Sequence, residues 1–434
     1  MRSVLLGVLC CAVSLVFAED FQFQISADRE NCLYACGEEA VFQVKAVDQK
    51  GALVRQGKVS WRLDNFGARQ QGREEIDLSK SNPFSVKGTL KEPGFLRLTL
   101  QGEGKRPKVF GVGYEPHRIE QGRACPADFD QFWAAAMKHV EETVPLDPKM
   151  EWMKEIGGKI NVYRVSFATV GNRRVHGYLS VPKQKRAEPY PVCVTVPGAG
   201  CGGYSNNPYA PANQITLFMS VFPFEPNPDL SVVNPLYAEM NRKYKEQYGV
   251  PTYASAGIAV SREAYFYYPV ILGINRAVNW LAKRPDVDLK RFVYQGTSQG
   301  GGFGFFLCGL NRHFTKAGIF VPAITDLYGY QKGRQSGWPR IIENQPERQK
   351  AAAEKNAAYF DGVNFAARIH IPVRVVVGFA DTTCAPCAVY SAYRVIPSKD
   401  KDILHGIGMT HGVYGKLYHE VNLWLNRPPA ADQK

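Results

Sequence analysis

Residues Tyr294 to Phe306 read YQGTSQGGGFGFF and set a single serine, Ser298, among five glycines. The preceding RFVYQG is a short apolar run of strand character, and the following GFGFFLCGL is apolar and compatible with a helix. The stretch therefore predicts strand, tight turn and helix, with Gly296-Thr297-Ser298-Gln299-Gly300 at the corner. In so sharp a corner the serine takes strained backbone angles. The residues two before and two after it must be small for strand and helix to approach. Such a corner lifts a serine hydroxyl above a sheet edge as a nucleophile, and the plainer alternative is a glycine-rich structural turn.

Working outward, other apolar runs alternate with helical stretches: YPVCVTVPG, ITLFMSVFPF, the helix around YYPVILGINRAVNWLAKRP, AGIFVPA, IPVRVVVGFAD and KDILHGIG. Strands that are apolar throughout belong to a parallel sheet covered on both faces, so this region reads as doubly wound α/β. It opens on PADFDQFWAAAMKHVEET, where Phe129, Phe132, Trp133 and Met137 recur at helical spacing. Before it, FQFQISA, AVFQVKAV, KVSWRLD, FSVKGTL and FLRLTLQG alternate with period two between Gly, Asn, Asp and Pro clusters. That pattern predicts an antiparallel β-sandwich of immunoglobulin-like size. The expected division is residues 1–18 as a signal peptide, 19–115 as the sandwich and 116–434 as the α/β domain. The sandwich gathers no set of His, Cys and carboxylates, and bracing its neighbour is the role expected of it.

A serine hydroxyl becomes nucleophilic when a histidine removes its proton and a carboxylate holds that histidine in the right tautomer. In a sheet of this kind the partners follow the serine in the order acid, then histidine. Asp381 stands at the end of PVRVVVGFA, at the carboxyl edge where such sheets place their chemistry. Asp326 is a rival, and Asp361 in YFDGVNF reads as a helix-start or loop hydrogen-bonding residue. His411 in GMTHG is the expected base. His405 reads as part of the last strand or its end, and His419 falls in the final helix. Backbone N–H groups of Gln299 and of the loop in VTVPGAGCGG, with Ala199 as donor, are the expected oxyanion hole. The histidines lack the spacing of a metal cluster, so no metal and no cofactor is expected.

Composition narrows the class. The chain has 434 residues, 45% hydrophobic and 21% charged, an ordinary globular balance. MRSVLLGVLCCAVSLVFA begins with a cation, runs apolar and ends in a small-x-small pattern, which predicts a cleaved secretory signal and a secreted or periplasmic protein. No later run is long and apolar enough to predict a membrane span. Ten cysteines include Cys10 and Cys11 of the leader; for the other eight, pairing in an oxidising compartment is compatible with the spacing, and connectivity is open. Cys32 and Cys36 lie close together, and Cys384 and Cys387 form CAPC, which reads as a local staple or two buried thiols rather than a redox pair. The net charge is +13, but Lys and Arg are scattered, which argues against nucleic acid as a partner. Self-association is left open.

GTSQGGG, NRAVNWLAKRPDVDLKRF, YFDGVNFAARIHIPVRVVVGFADTTCAP and PADFDQFW together resemble the acetyl xylan esterase and cephalosporin C deacetylase family of α/β hydrolases. The resemblance runs from about Arg118 to the final helix, and variants with an added N-terminal β domain are similar over the whole mature chain. It implies an α/β hydrolase fold with Ser298 as nucleophile, Asp381 as acid, His411 as base, and the amides of Gln299 and Ala199 as oxyanion donors. Three positions depart from the family pattern. Ala199 replaces a tyrosine, SVFPFEPNP replaces a basic-glycine motif, and Pro269 stands where an arginine is usual. The long Cys201–Val250 loop is read as a cover for the site. The implied activity is that of a secreted serine carboxylesterase removing O-acetyl groups from carbohydrate, with acetylated xylan or xylo-oligosaccharides as substrate. Alternatives are a deacetylase of another O-acetylated glycan or small ester, a prolyl-peptidase-like hydrolase, and a carbohydrate-binding protein with an inert hydrolase domain.

Overall fold

The computed structural model describes residues 21–201 and 211–428. The expected signal segment, residues 1–18, lies outside the described residues. Among these, no helix is long and apolar enough to cross a membrane.

Eight strands build the N-terminal part: β1 (Phe21–Ala27), β2 (Leu33–Tyr34), β3 (Ala40–Asp48), β4 (Lys58–Asp64), β5 (Gln70–Asp77), β6 (Phe84–Gly88), β7 (Gly94–Gly102) and β8 (Lys108–Tyr114). They form two sheets, ordered β1-β3-β6 and β2-β8-β7-β4-β5. Period-two alternation points Phe42, Val44 and Val86 of one sheet and Leu63, Leu98, Leu100 and Phe110 of the other into a shared core. The rings of Phe42 and Phe110 meet edge to face across it.

A nine-stranded sheet forms the rest, from β9 (Lys149–Ile156), β10 (Ile160–Thr169), β11 (Arg173–Pro182), β12 (Tyr190–Val196), β13 (Ile215–Met219), β14 (Val287–Thr297), β15 (Lys316–Phe320), β16 (Val373–Gly378) and β17 (Lys401–Gly406). Its order is β17-β16-β15-β14-β12-β13-β11-β10-β9. From β17 to β13 the neighbours are parallel, whereas β11, β10 and β9 run as an antiparallel extension. That extension adds to the parallel sheet expected from the sequence. Its outer strand, KMEWMKEI, is exposed along much of its length and carries no buried apolar run to mark it.

Eight described helices accompany the sheet: α1 (Phe129–Thr143), α2 (Leu230–Tyr248), α3 (Tyr267–Ala282), α4 (Gln299–Leu310), α5 (Glu347–Ala357), α6 (Gly362–Ala366), α7 (Pro386–Val395) and α8 (Gly415–Leu425). Strand residues alternate between two buried faces. Cys193, Val293, Val376 and Leu404 pack with Leu417, Val421 and Leu425 of α8. Val192, Val194, Phe292, Tyr294 and Val375 face the larger core that holds α3 and α4. Burial on both sides is why these strands read as continuous apolar runs.

The region expected as the loop Cys201–Val250 contains β13 and the 19-residue helix α2. Asp229 caps α2 through the N–H of Ser231, and Gly249 closes it in the left-handed conformation. Pro235 within the helix and a weakly apolar, highly charged second half conceal it in the sequence. Residues 202–210 of that stretch lie outside the described residues.

Because β12, β14, β16 and β17 are parallel, their carboxyl ends share one edge of the sheet. The chain leaves that edge toward Pro197–Ala199, Ser298, Asp381 and His411, respectively.

Candidate active site

Ser298 links β14 to α4 with φ 59° and ψ −119°, in the left-handed half of conformational space that a non-glycine residue rarely occupies. The strain is held by its backbone: Ser298 N–H donates to Phe320 O (2.9 Å), while its carbonyl accepts from Gly302 (3.0 Å) and Ala323 (2.9 Å). A β-carbon on Gly296 would overlap the carbonyl of Gly300, and one on Gly300 would overlap the carbonyl of Val196. The glycines of the opening motif are therefore required by backbone-to-backbone contact.

His411 Nε2 lies 2.9 Å from Ser298 Oγ, and His411 Nδ1 lies 2.8 Å from Asp381 Oδ2. The other Asp381 oxygen accepts the N–H groups of Thr383 (2.8 Å) and Cys384 (3.0 Å). Asp381 is fully buried, whereas a third of the His411 side chain is open to solvent. Carboxylate, imidazole and hydroxyl thus form one hydrogen-bonded line with the imidazole in the middle, the arrangement in which a histidine can take a serine proton. The structure brings Ser298, Asp381 and His411 together.

The rival residues are engaged elsewhere. Asp326 accepts the N–H of Gly122 (2.6 Å) and pairs with Arg334 (3.0 Å), and its burial pushes its carboxyl upward. Asp361 caps α6 through the N–H of Val363 and accepts those of Asp326 and Leu327. Burial, with the nearby charge of Asp326, pushes Asp361 up to about 7. His405 lies in β17 against the Tyr390 hydroxyl (2.6 Å), and His419 is exposed on α8.

The β12 loop reaches over the serine: a β-carbon on Gly198 would lie 3.8 Å from Ser298 Cβ. Gln299, expected to act only through its backbone N–H, also ties this loop in place. Its buried side-chain Oε1 accepts from the hydroxyls of Tyr253 (2.7 Å) and Tyr267 (2.6 Å), and its Nε2 donates to Pro197 O (3.3 Å) and Gly198 O (3.4 Å). The sequence reading does not find Tyr253 or Tyr267; only Tyr267 lies in an aromatic run, YFYYPV, and nothing there marks a hydroxyl aimed at Gln299. Ala199 is exposed in the same loop.

The eight cysteines among the described residues are all free thiols, so the pairing compatible with the sequence is absent here. Cys384 and Cys387 are two buried thiols. Cys384 Sγ, a carboxylate oxygen of Asp381 and a ring nitrogen of His411 lie within 4.8 Å of one another. Burial holds the Cys384 thiol well above the ordinary thiol range.

Residues 115–425 match the family model of acetyl xylan esterases. The chain belongs to the acetyl xylan esterase family. It is 28% identical over 419 residues to acetyl esterase Axe7A of Xylanibacter ruminicola, covering 95% of this chain and 91% of that protein. The fold is similar to acetyl xylan esterases from Paenibacillus sp. R4 (TM-score 0.60, 23% identity) and Thermoanaerobacterium sp. JW/SL YS485 (TM-score 0.57, 21% identity). Each likeness covers 72% of this chain and 98% of the other. The protein is accordingly an α/β hydrolase and a carboxylic-ester hydrolase.

Proposed function

We propose that the protein is an exported serine esterase that removes O-acetyl groups from acetylated xylan or xylo-oligosaccharides, with residues 1–18 as the leader, 19–115 as a bracing β domain and 116–434 as the catalytic domain. The observation that carries the mechanism is the Ser298–His411–Asp381 relay. His411 Nε2 takes the Ser298 proton as Oγ attacks the acetyl carbonyl. Asp381 keeps the other ring nitrogen protonated and stabilises the imidazolium that forms. The backbone N–H groups of Gln299 and Ala199 receive the oxyanion. When the intermediate collapses, the bond from the acetyl carbon to the sugar oxygen breaks, His411 gives its proton to that oxygen, and Ser298 is left acetylated. A water then loses a proton to His411 and attacks the acetyl carbonyl; collapse breaks the bond to Ser298 Oγ, which takes the proton back from His411 as acetate leaves.

Family membership and the acetyl esterase relative support acetyl as the acyl group. The test is acetate release from a panel of acetylated xylo-oligosaccharides, other O-acetylated glycans and aryl esters of increasing acyl length. Preference for acetylated xylo-oligosaccharides supports the proposed substrate. Preference for another glycan or for a longer acyl chain replaces it.

A further inference from the structure

The proposed acetyl transfer uses Asp381 and His411 but leaves Cys384 without a step. This thiol is nevertheless 1% exposed and lies against the Asp381 carboxylate and the His411 ring. Asp381 and Cys384 come from a single turn, fixed by the Asp381 Oδ1 bonds to the N–H groups of Thr383 and Cys384. With His411 they put one oxygen, one sulfur and one nitrogen donor within 4.8 Å of one another.

Carboxylate, thiolate and imidazole make a donor set for borderline and soft divalent cations, whereas Mg²⁺ and Ca²⁺ favour oxygen ligands alone. Bonds of roughly 2.0–2.3 Å in a tetrahedral site hold such donors about 3.3–3.8 Å apart, so the cluster needs to contract by about 1 Å. We propose that Asp381, Cys384 and His411 form an inhibitory site for a thiophilic divalent cation such as Zn²⁺ or Cd²⁺. The cation accepts lone pairs from the carboxylate, the sulfur and one ring nitrogen, and the Cys384 S–H proton is lost to solvent. Neutral imidazole has one nitrogen lone pair. If Nδ1 binds the cation, the ring proton moves to Nε2 and faces Ser298. If Nε2 binds, the lone pair that would accept the serine proton is itself consumed. In both cases the general base is lost, and a water completes the coordination.

The test uses the full-length protein freed of metal by chelation. Zn²⁺ inhibition of aryl acetate hydrolysis is measured for wild type, Cys384→Ser and Cys387→Ser, each against its own uninhibited rate. In parallel, Co²⁺ titration is followed through the near-ultraviolet thiolate-to-cobalt band. The expected result is chelator-reversible inhibition of wild type and Cys387→Ser, with a concentration for half inhibition at least about tenfold higher in Cys384→Ser. The cobalt band should saturate at one ion per chain and vanish in Cys384→Ser. If Cys384→Ser is inactive, Cys384→Ala, shown folded by circular dichroism, carries the cobalt measurement alone. Equal Zn²⁺ sensitivity of wild type and Cys384→Ser, a band that survives loss of Cys384, or a band without inhibition overturns the proposal. The inhibition arm rests on the proposed relay but the cobalt band does not. An active Ser298→Ala variant that keeps the band would therefore refute the relay and not the metal site.

Discussion

The rings of Phe95 and Phe379 meet edge to face with centroids 5.0 Å apart, joining the N-terminal sandwich to the turn that carries Asp381. Beside them, a β-carbon on Gly111 of β8 would overlap the carbonyl oxygen of Phe379. Gln335 completes the junction, its backbone N–H donating to Phe66 O and its side chain to Thr382 O. The sandwich thus presses on the backbone immediately flanking Asp381. Gly111→Val should displace that turn and lower kcat by on the order of 10²-fold with little change in KM, since a misplacement of about 1 Å can cost that much. Steady-state kinetics on an aryl acetate check this. A Gly111→Val variant that loses thermal stability but keeps kcat would show that the junction braces the fold without positioning the acid.

Two buried aspartates should separate cleanly. Asp381→Asn keeps the size of the side chain but favours the wrong histidine tautomer, so kcat should fall by on the order of 10⁴ with a small change in Tm. Asp326→Asn leaves Arg334 without its charged partner and should be destabilising by about 3–5 kcal/mol, with kcat of the folded fraction retained. Denaturation curves and single-turnover rates measured on both variants decide it. An exchange of the two phenotypes would place the acid at Asp326.

Gln299 tests how the oxyanion loop is held. Replacing Tyr253 and Tyr267 together by Phe removes both donors to Gln299 Oε1 while leaving every backbone N–H in place. Loss of loop registration should reduce kcat by about 10- to 100-fold, below the full cost of removing an oxyanion donor. Unchanged kcat in the double variant would limit these tyrosines to core packing.

His405 provides a pH signature of stability. Burial holds its pKa below the ordinary histidine value. The unfolded chain binds this proton at about pH 6.5, so below that pH the unfolded state carries more protons and the folded state loses stability until the folded pKa is passed. Asp361, raised to about 7, acts with the opposite sign, losing stability as pH rises from the unfolded carboxylate value toward 7. The readout is therefore the difference between wild type and His405→Gln. The variant should lose less stability than wild type between pH 7 and 5, as followed by urea denaturation. Parallel curves for the two proteins would contradict a lowered pKa for the half-buried His405.

The legible parts of this molecule are those in which chain neighbours do the work. The elbow shows itself because Gly296 and Gly300 flank Ser298 between a strand and an apolar helix, and Asp361 announces its capping role by its place before α6. Apolar runs reveal β12 and β14–β17 because both faces are buried. Structure made by partners distant in the chain is far less visible. Nothing near Gly111 signals that Phe379 will lie against it, and nothing near Gln299 signals two tyrosine hydroxyls. The exposed edge strand β9 and the proline-bearing helix α2 lack the periodicity that marks elements buried on one face.

In the proposed reaction Ser298 carries the acetyl group between carbohydrate and water. The deciding measurement is acetate released from acetylated xylo-oligosaccharides by wild type and by Ser298→Ala, with melting temperatures taken alongside. Wild type should release acetate steadily, and Ser298→Ala should lose on the order of 10⁶-fold at an essentially unchanged Tm. Acetate release by a folded Ser298→Ala protein at more than a few per cent of the wild-type rate would contradict this role for Ser298.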